Sequence, residues 1–232
     1  QTKRGVIIMK NRKLALIIAV GLMAALCFVG NYIQIKIPNG VLITRIHFGN
    51  SMCLLAGLLF GGIPGGLASG IGAGLYDLLD PVYIVSAPFT FLSKFAMGFV
   101  CGVLAAKYKN HPKTNKSFTG VVLSAVAGQI TYIVLYLMNT YIGQLLLGAP
   151  VETALTAVAT NAITSSVNAV IAVVVSVPLF YALKKPLMST YFSELITAVP
   201  KKQLRWYVWL IIALAFLAVA VAFIFLAQML KQ

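Results

Sequence analysis

The feature of this sequence that most constrains its fold is a series of long apolar stretches separated by short polar segments. A helix of about 20 apolar residues crosses the hydrocarbon core of a bilayer, which is about 30 Å thick. Such stretches lie at residues 14–33, 47–62, 65–79, 84–106, 118–147, 151–184 and 207–230. The sequence therefore predicts an all-α integral membrane protein.

The charge composition supports this interpretation and excludes two other classes. The chain has 18 Lys and Arg but only 4 Asp and Glu, so its net charge of +14 reflects a scarcity of acids. Only 9% of its residues are charged, against about 25% in an average soluble domain. This excludes an ordinary soluble domain and a disordered chain. Basic helix ends that meet anionic lipid explain the charge without a nucleic-acid partner.

The distribution of basic residues predicts the orientation of the helices. With the N-terminus in the cytoplasm, 14 of the 18 Lys and Arg residues lie on the cytoplasmic side, as the positive-inside rule requires. Three outer loops then follow, at residues 34–46, 77–86 and 143–152. These loops hold most of the acids, so we expect the polar chemistry at the outer face.

The same pattern divides the chain into four parts. They are a cytoplasmic basic N-terminus (1–13), a six-helix membrane domain (14–185), an amphipathic connector (186–206) and an additional transmembrane helix (207–230). Almost no polar residue interrupts the last helix, which favours an anchor over part of a site. Residues 61–66 (GGIPGG) predict a sharp turn between the second and third spans, because Pro stops a helix and Gly permits a turn.

Glycines four residues apart indicate close packing of helices rather than nucleotide binding. This spacing relates Gly57 to Gly61, Gly70 to both Gly66 and Gly74, and Gly98 to Gly102. It places small residues on one helix face, where backbones approach closely. Residues 70–74 match neither common phosphate-binding motif. The chain is therefore expected to have no ATP site of its own.

Catalytic and metal chemistry find little support in the sequence. Cys27, Cys53 and Cys101 lie in apolar runs and form no cluster with His, so neither a disulfide framework nor a metal site is predicted. A serine enzyme built on Ser69 would need a base in a later span. The chain has only two His residues and neither lies in one. We expect no catalytic residue and no cofactor of the chain's own.

Two predicted helices carry polar side chains on one face. The fifth span holds Gln129, Tyr132, Tyr136, Asn139 and Thr140. The sixth holds Thr153, Thr156, Thr160 and Thr164, with Asn161, Ser165 and Asn168 beside them. Spacings of three and four residues align such groups along a helix. Polar groups in a membrane must find partners. They therefore either bond between helices or form the wall of a cavity that opens outward.

Lys94 is the single basic residue inside a predicted span. An unpaired ammonium there is costly, so the sequence predicts a partner or a water-filled cavity. Asp77 and Asp80 are the candidate partners, and contact with a ligand is the alternative.

Five sequence segments carry a resemblance to a known family. They are residues 44–50 (TRIHFGN), 61–66 (GGIPGG), 70–81 (GIGAGLYDLLDP), 87–90 (APFT) and 94–98 (KFAMG). Together with the basic N-terminus, they make residues 10–188 similar to the substrate-binding S components of energy-coupling factor (ECF) vitamin transporters.

The resemblance implies six helices, a vitamin site near the outer face, and a multi-pass location in a prokaryotic cell membrane. It further implies docking on a transmembrane coupling subunit and two cytoplasmic ATPases, which use ATP and Mg, with delivery by toppling of the S component. Docking in the family uses small residues of the first helix in an A-x-x-x-A pattern. Ala15 and Ala19 fit this pattern, and Gly21 and Ala25 offer a second small face.

Two features depart from the family pattern. The predicted seventh helix at 207–230 is usually lacking. The metal-transporting subgroup carries a His at the N-terminus, whereas this chain opens with Gln1, Thr2 and Lys3. Nickel and cobalt ions are therefore not the expected cargo.

The expected function is that of a membrane-embedded vitamin-binding subunit. The expected substrate-binding residues are Arg45, His47, Asn50, Asp77, Lys94, Tyr132, Tyr136, Asn139, Thr160, Asn161 and Thr164. Their largely neutral character favours a ligand rich in amides or hydroxyls, with cobalamin first and then riboflavin or pantothenate. The alternatives are a stand-alone channel or secondary transporter, and a membrane enzyme that uses Ser69 or His47.

Overall fold

The computed structural model describes residues 12–39, 42–108 and 115–197. The elements are α1 (Arg12–Tyr32), β1 (Gln34–Asn39), β2 (Leu42–His47), α2 (Gly49–Phe60), α3 (Gly62–Leu79), a 3-10 turn (Ile84–Ser86), α4 (Ala87–Ala105), α5 (Asn115–Leu146), α6 (Val151–Leu187) and α7 (Ser193–Thr197). The predicted helix at 207–230 and nearly all of the basic N-terminus lie outside the described residues.

The helices confirm the predicted all-α membrane fold. Four in the described part of the chain are long and apolar enough to cross a membrane: Lys13–Tyr32, Ile84–Ala105, Lys116–Leu146 and Val151–Leu187. Helix α2 has only 12 residues. Helix α6 has 37 residues and is about 56 Å long at 1.5 Å per residue, so it exceeds the thickness of the bilayer core.

The first predicted outer loop is an antiparallel β-hairpin instead. Strands β1 and β2 pair so that Gln34 faces His47 and Lys36 faces Arg45. The reason is visible in residues 34–37 (QIKI), where polar and β-branched residues alternate with the period of a strand. Because α1 ends and α2 begins at the hairpin, and α3 ends and α4 begins beside it, we call this part of the bundle the hairpin end.

The turn between α2 and α3 is narrower than predicted. Only Gly61 lies between the two helices, and its φ of 85° is a left-handed conformation that glycine adopts without steric cost. Pro64 lies in the first turn of α3, where the missing N–H would have no intrahelical partner.

The glycines pack α2, α3 and α4 against one another, as predicted. A Cβ atom on Gly57 would lie 2.5 Å from the carbonyl oxygen of Gly98, and one on Gly98 would lie 2.7 Å from that of Gly65. No side chain fits at such distances, so the backbones themselves are in contact.

Helix α1 presents its two small-residue patterns on different sides. Ala15 and Ala19 are 3% and 1% exposed and belong to the same apolar cluster as Leu195. Gly21 and Ala25 are on the exposed side, because two positions along a helix turn the direction by about 200°. Ala15 and Ala19 are therefore covered by the chain's own residues in this structure, and their role in docking stays a prediction.

Candidate functional site

A cavity of about 60 Å³ lies at the hairpin end, between β2, the α3–α4 link and helices α4, α5 and α6. Six of the predicted site residues line it: Arg45, His47, Asp77, Tyr132, Tyr136 and Asn139. They come from three different elements, β2, α3 and α5, so the tertiary fold brings together residues that are up to 94 positions apart in sequence. The cavity is the candidate binding site.

An ion pair between β2 and α3 forms one wall. Arg45 Nη2 donates a hydrogen bond of 2.5 Å to Asp77 Oδ1, and both side chains are largely buried. The guanidinium carbon of Arg45 lies 4.1 Å from the centre of the Tyr83 ring and 5.1 Å from that of Tyr76. The aromatic faces and the carboxylate together fix the position of the arginine.

A second ion pair ties β1 to the end of α3 beside the cavity. Lys36 Nζ lies 2.8 Å from Asp80 Oδ2, with the lysine side chain 40% exposed. Burial raises the pKa of Asp80, but the hydrogen bonds from Lys36 and from the Val82 N–H outweigh this and leave the pKa lowered. Asp80 is therefore ionised at neutral pH and holds the hairpin to the α3–α4 link.

Burial also sets the protonation of two cavity residues at the hairpin end. It lowers the pKa of His47 well below the ordinary value, and the charges of Lys94 and Arg45 add to the effect. His47 is thus neutral at pH 7, in agreement with the hydrogen bond of 3.1 Å that its Nδ1 accepts from the Gly49 N–H. Burial raises the pKa of Tyr83 to about 12, so its hydroxyl stays protonated.

Asn168 joins the middle of α6 to strand β2. Its Oδ1 accepts a hydrogen bond of 3.0 Å from the His47 N–H, and its Nδ2 donates one of 2.8 Å to the Arg45 carbonyl oxygen. One side chain thereby pairs the free edge of the strand as a third strand would. The contact positions Arg45 and His47 against α6.

Lys94 lies behind the cavity wall rather than in it. Its side chain is 1% exposed, and Nζ donates a hydrogen bond to Asn50 Oδ1. Nζ also lies 3.7 Å from the centre of the Tyr132 ring, a cation–π contact. The predicted pairing with Asp77 or Asp80 is wrong, because Arg45 and Lys36 occupy those carboxylates.

Asn50 also belongs to this inner layer and not to the cavity surface. Its Nδ2 is 3.4 Å from Gln129 Oε1, on α5. The Lys94–Asn50–Gln129 network therefore connects α4, α2 and α5 beneath Tyr132. The network thereby supports the Tyr132 ring from the side away from the cavity surface.

Three predicted site residues on α6 do not line the cavity. Asn161 Nδ2 donates a hydrogen bond of 3.1 Å to Thr140 Oγ1 on α5. The hydroxyls of Thr160 and Thr164 bond to backbone carbonyls one turn earlier in their own helix. The interpretation of the polar face as helix-to-helix bonding therefore applies to Asn161, whereas the two threonine hydroxyls are satisfied within α6.

Tyr132 and Tyr136 supply an aromatic surface on α5. Their rings stack with centroids 5.7 Å apart and planes at 11°, as the spacing of four residues along a helix permits. Both rings line the cavity, which Phe89 of α4 also reaches. Such a surface suits a flat, conjugated ligand.

Eight lining residues were missing from the sequence-based set: Thr44, Tyr83, Ser86, Phe89, Thr90, Ser93, Ser165 and Asn168. Helical spacing had placed Ser165 and Asn168 beside the polar face of α6, although they were not among the expected binding residues. Phe89 and Thr90 lie in the segment 87–90 that carries the family resemblance, at the start of α4. Tyr83 and Ser86, in the α3–α4 link, carry no pattern that distinguishes them from ordinary link residues.

The lining of the cavity is that of a binding pocket. Within the described ranges, no three His, Cys, Asp or Glu side chains lie close enough to hold a metal ion. The lining combines one neutralised ion pair, neutral donors and acceptors, and aromatic rings. It therefore fits an uncharged amphipathic molecule with a planar part.

The fold and the cavity define an integral membrane protein with a polar binding pocket at one end of its helical bundle. The family model of the ECF-type riboflavin transporter S component matches residues 11–185, which is most of the chain. The chain therefore belongs to this family of ECF transporter S components. It is accordingly a transporter subunit and not an enzyme.

The chain is also similar to a solved structure, described as "Structure and mechanism of the S component of a bacterial ECF transporter". The two are 21% identical, the similarity covers 76% of this chain and 99% of that chain, and the TM-score is 0.49. None of the curated proteins shows significant sequence similarity to the chain.

Proposed function

We propose that this S component binds riboflavin, or a closely related flavin, at the hairpin end, where the cavity of about 60 Å³ widens to admit the ligand. The observation that supports this most directly is the stacked Tyr132–Tyr136 pair beside neutral polar groups of β2, α4 and α6. A flavin combines a planar ring system with a hydroxyl-rich chain, and aromatic side chains with a few placed polar groups recognise such molecules.

Riboflavin replaces cobalamin as the first choice of substrate. The family match is to riboflavin S components, and nothing in it supports cobalamin. The cavity is lined by rings that suit a flat ligand, whereas cobalamin is a bulky molecule decorated on all sides. Pantothenate has no ring for Tyr132 and Tyr136 to stack on.

The proposed mechanism keeps the energy source in partner subunits. The chain would bind its ligand from outside and deliver it by toppling when docked on a coupling subunit and two ATPases, which use ATP and Mg. On α1, the accessible small residues are Gly21 and Ala25, and we propose this face for docking. Close approach of helices requires small residues, as here.

Quenching of flavin fluorescence tests the binding proposal on the purified chain in detergent. Riboflavin is expected to bind with a stoichiometry of one, while cobalamin and pantothenate in large excess do not displace it. Displacement by either competitor at stoichiometric concentration would overturn the choice of substrate.

Reconstitution in liposomes separates the proposal from a stand-alone channel or carrier. The isolated chain is expected to bind radiolabelled riboflavin without accumulating it. Accumulation is expected only with the coupling subunit, the ATPases and ATP. Uptake by the isolated chain would establish the alternative.

A further inference from the structure

Arg45 is held in place before any ligand arrives. Its Nη2 bonds to Asp77 at 2.5 Å, and its guanidinium lies against the ring of Tyr83 at 4.1 Å. Asn168 fixes the backbone of the same residue through the Arg45 carbonyl oxygen at 2.8 Å. A side chain so constrained loses little conformational freedom when it bonds to a ligand.

The N–H groups of the second terminal nitrogen of Arg45, Nη1, have no hydrogen-bond acceptor among the described residues. Nη1 is also buried, and a buried donor without an acceptor destabilises the folded chain. Arg45 lines the cavity, so a ligand in the cavity is positioned to supply the missing acceptor.

The net charge of the Arg45–Asp77 pair restricts which kind of ligand atom can accept a hydrogen bond from Nη1. Asp77 forms a direct, charge-assisted hydrogen bond with Arg45, so the Arg45–Asp77 pair has no net charge to attract an anion. A neutral carbonyl oxygen satisfies Nη1 without adding an unbalanced charge. The ring of Tyr83 lies 4.1 Å from the guanidinium carbon, and the ring of Tyr132 lines the same cavity, so aromatic surfaces for a flat ligand ring lie near this donor.

We propose that Arg45 is a specificity-determining residue whose Nη1 donates a hydrogen bond to a ring carbonyl of the ligand's heterocycle, and not to its hydroxyl chain. The inference rests on the proposed flavin-binding function. For riboflavin the acceptor is one of the two carbonyl oxygens of the pyrimidinedione ring.

Two flavins and one conservative variant test this. Lumiflavin has the ring system of riboflavin with a methyl group in place of the ribityl chain. Arg45→Lys keeps a charge for Asp77 but lacks the second nitrogen. We expect it to raise the Kd of riboflavin and of lumiflavin by the same factor, about tenfold or more. An increase for riboflavin alone, or for neither flavin, overturns the proposal.

The control is Lys185→Gln, which changes an exposed basic residue in the last turn of α6. Lys185 does not line the cavity and lies far along α6 from Asn168, which contacts the hairpin. We expect both dissociation constants to stay within about twofold of those of the unmodified chain.

Modified ligands give a test that does not depend on folding of a variant. In 2-thioriboflavin or 4-thioriboflavin, sulfur, a weaker acceptor, replaces one carbonyl oxygen. One of the two is expected to bind the unmodified chain about tenfold more weakly than riboflavin, and this difference is expected to vanish in Arg45→Lys. Equal binding of all three flavins by the unmodified chain overturns the role of Arg45. Failure of the unmodified chain to bind riboflavin overturns the proposed function itself.

Discussion

Asn168 donates a hydrogen bond of 2.8 Å to the backbone carbonyl oxygen of Arg45, 123 residues away in sequence. The same amide accepts one from the His47 N–H at 3.0 Å. Two side-chain bonds thus hold the strand that carries Arg45 against the middle of α6. The hairpin is consequently a fixed wall of the cavity and not a loose loop.

Removing this link is expected to loosen the hairpin. Asn168→Ala leaves the Arg45 carbonyl and the His47 amide without partners, at a cost of about 1–3 kcal/mol in the free energy of unfolding. Hydrogen exchange at residues 42–48 is expected to quicken and riboflavin to bind more weakly. Ser166→Ala is the control, because that exposed hydroxyl bonds only within α6, to Ala162. Unchanged exchange in Asn168→Ala would contradict the role given to the amide.

Deleting either partner of the buried Lys94–Asn50 bond is expected to have unequal effects. Asn50→Ala leaves a buried ammonium whose remaining contact is the Tyr132 ring, and such a charge costs about 3–5 kcal/mol. Lys94→Met leaves only a neutral amide oxygen unpaired, at about 1–3 kcal/mol. Unfolding in mixed detergent micelles measures both. A larger loss in Lys94→Met would show that the charge is stabilised elsewhere.

The glycine contacts between α2 and α4 predict a severe effect of one methyl group. In Gly57→Ala the new Cβ would lie 2.5 Å from the Gly98 carbonyl oxygen, so the helices must separate at a cost of about 2 kcal/mol or more. Gly143→Ala is the matched control on α5, since no atom lies within 4 Å of its Cβ position. There the better helix propensity of Ala is expected to add up to about 1 kcal/mol. Thermal unfolding measures both variants: the Tm is expected to fall in Gly57→Ala and to rise slightly in Gly143→Ala.

The burial of His47 predicts that the folded chain loses stability in mild acid. Burial and the nearby cations lower its pKa well below the ordinary value of 6.5. The imidazole of His47 therefore becomes protonated near pH 6.5 in the unfolded chain, whereas in the folded chain it stays neutral at that pH. The free energy of unfolding is expected to fall as the pH drops below that value, by up to about 1.4 kcal/mol per pH unit. In His47→Gln this part of the pH dependence should disappear, and a retained slope would assign it to another group.

The aromatic surface of α5 predicts a binding effect without a large effect on folding. Tyr136→Leu removes half of the stacked pair and one hydroxyl from the cavity wall, and is expected to raise the Kd of riboflavin about 10- to 100-fold. Thr156→Val is the control on α6, because its exposed hydroxyl bonds only to the Glu152 carbonyl. Equal affinities in both variants would place the flavin ring elsewhere.

Much of the fold was predictable because the thickness of the bilayer sets the length of each apolar run in the sequence. Each membrane helix needs its own apolar run, and the backbone bonds of a helix are local. The spans, their order and the glycine spacing between them could therefore be recognised one segment at a time. Helix α4 carries Lys94 within such a run, and its need for a partner was evident from the same rule.

The partners of these groups were decided by tertiary structure alone. No local rule states that Arg45, and not Lys94, binds Asp77, since that depends on the strand twist, the register and the distance between elements far apart in sequence. For the same reason Asn161 bonds to α5 while Asn168, two turns later on the same helix, holds the hairpin. The apolar pattern determined which segments are embedded in lipid, and long-range packing determined which polar atoms face the cavity.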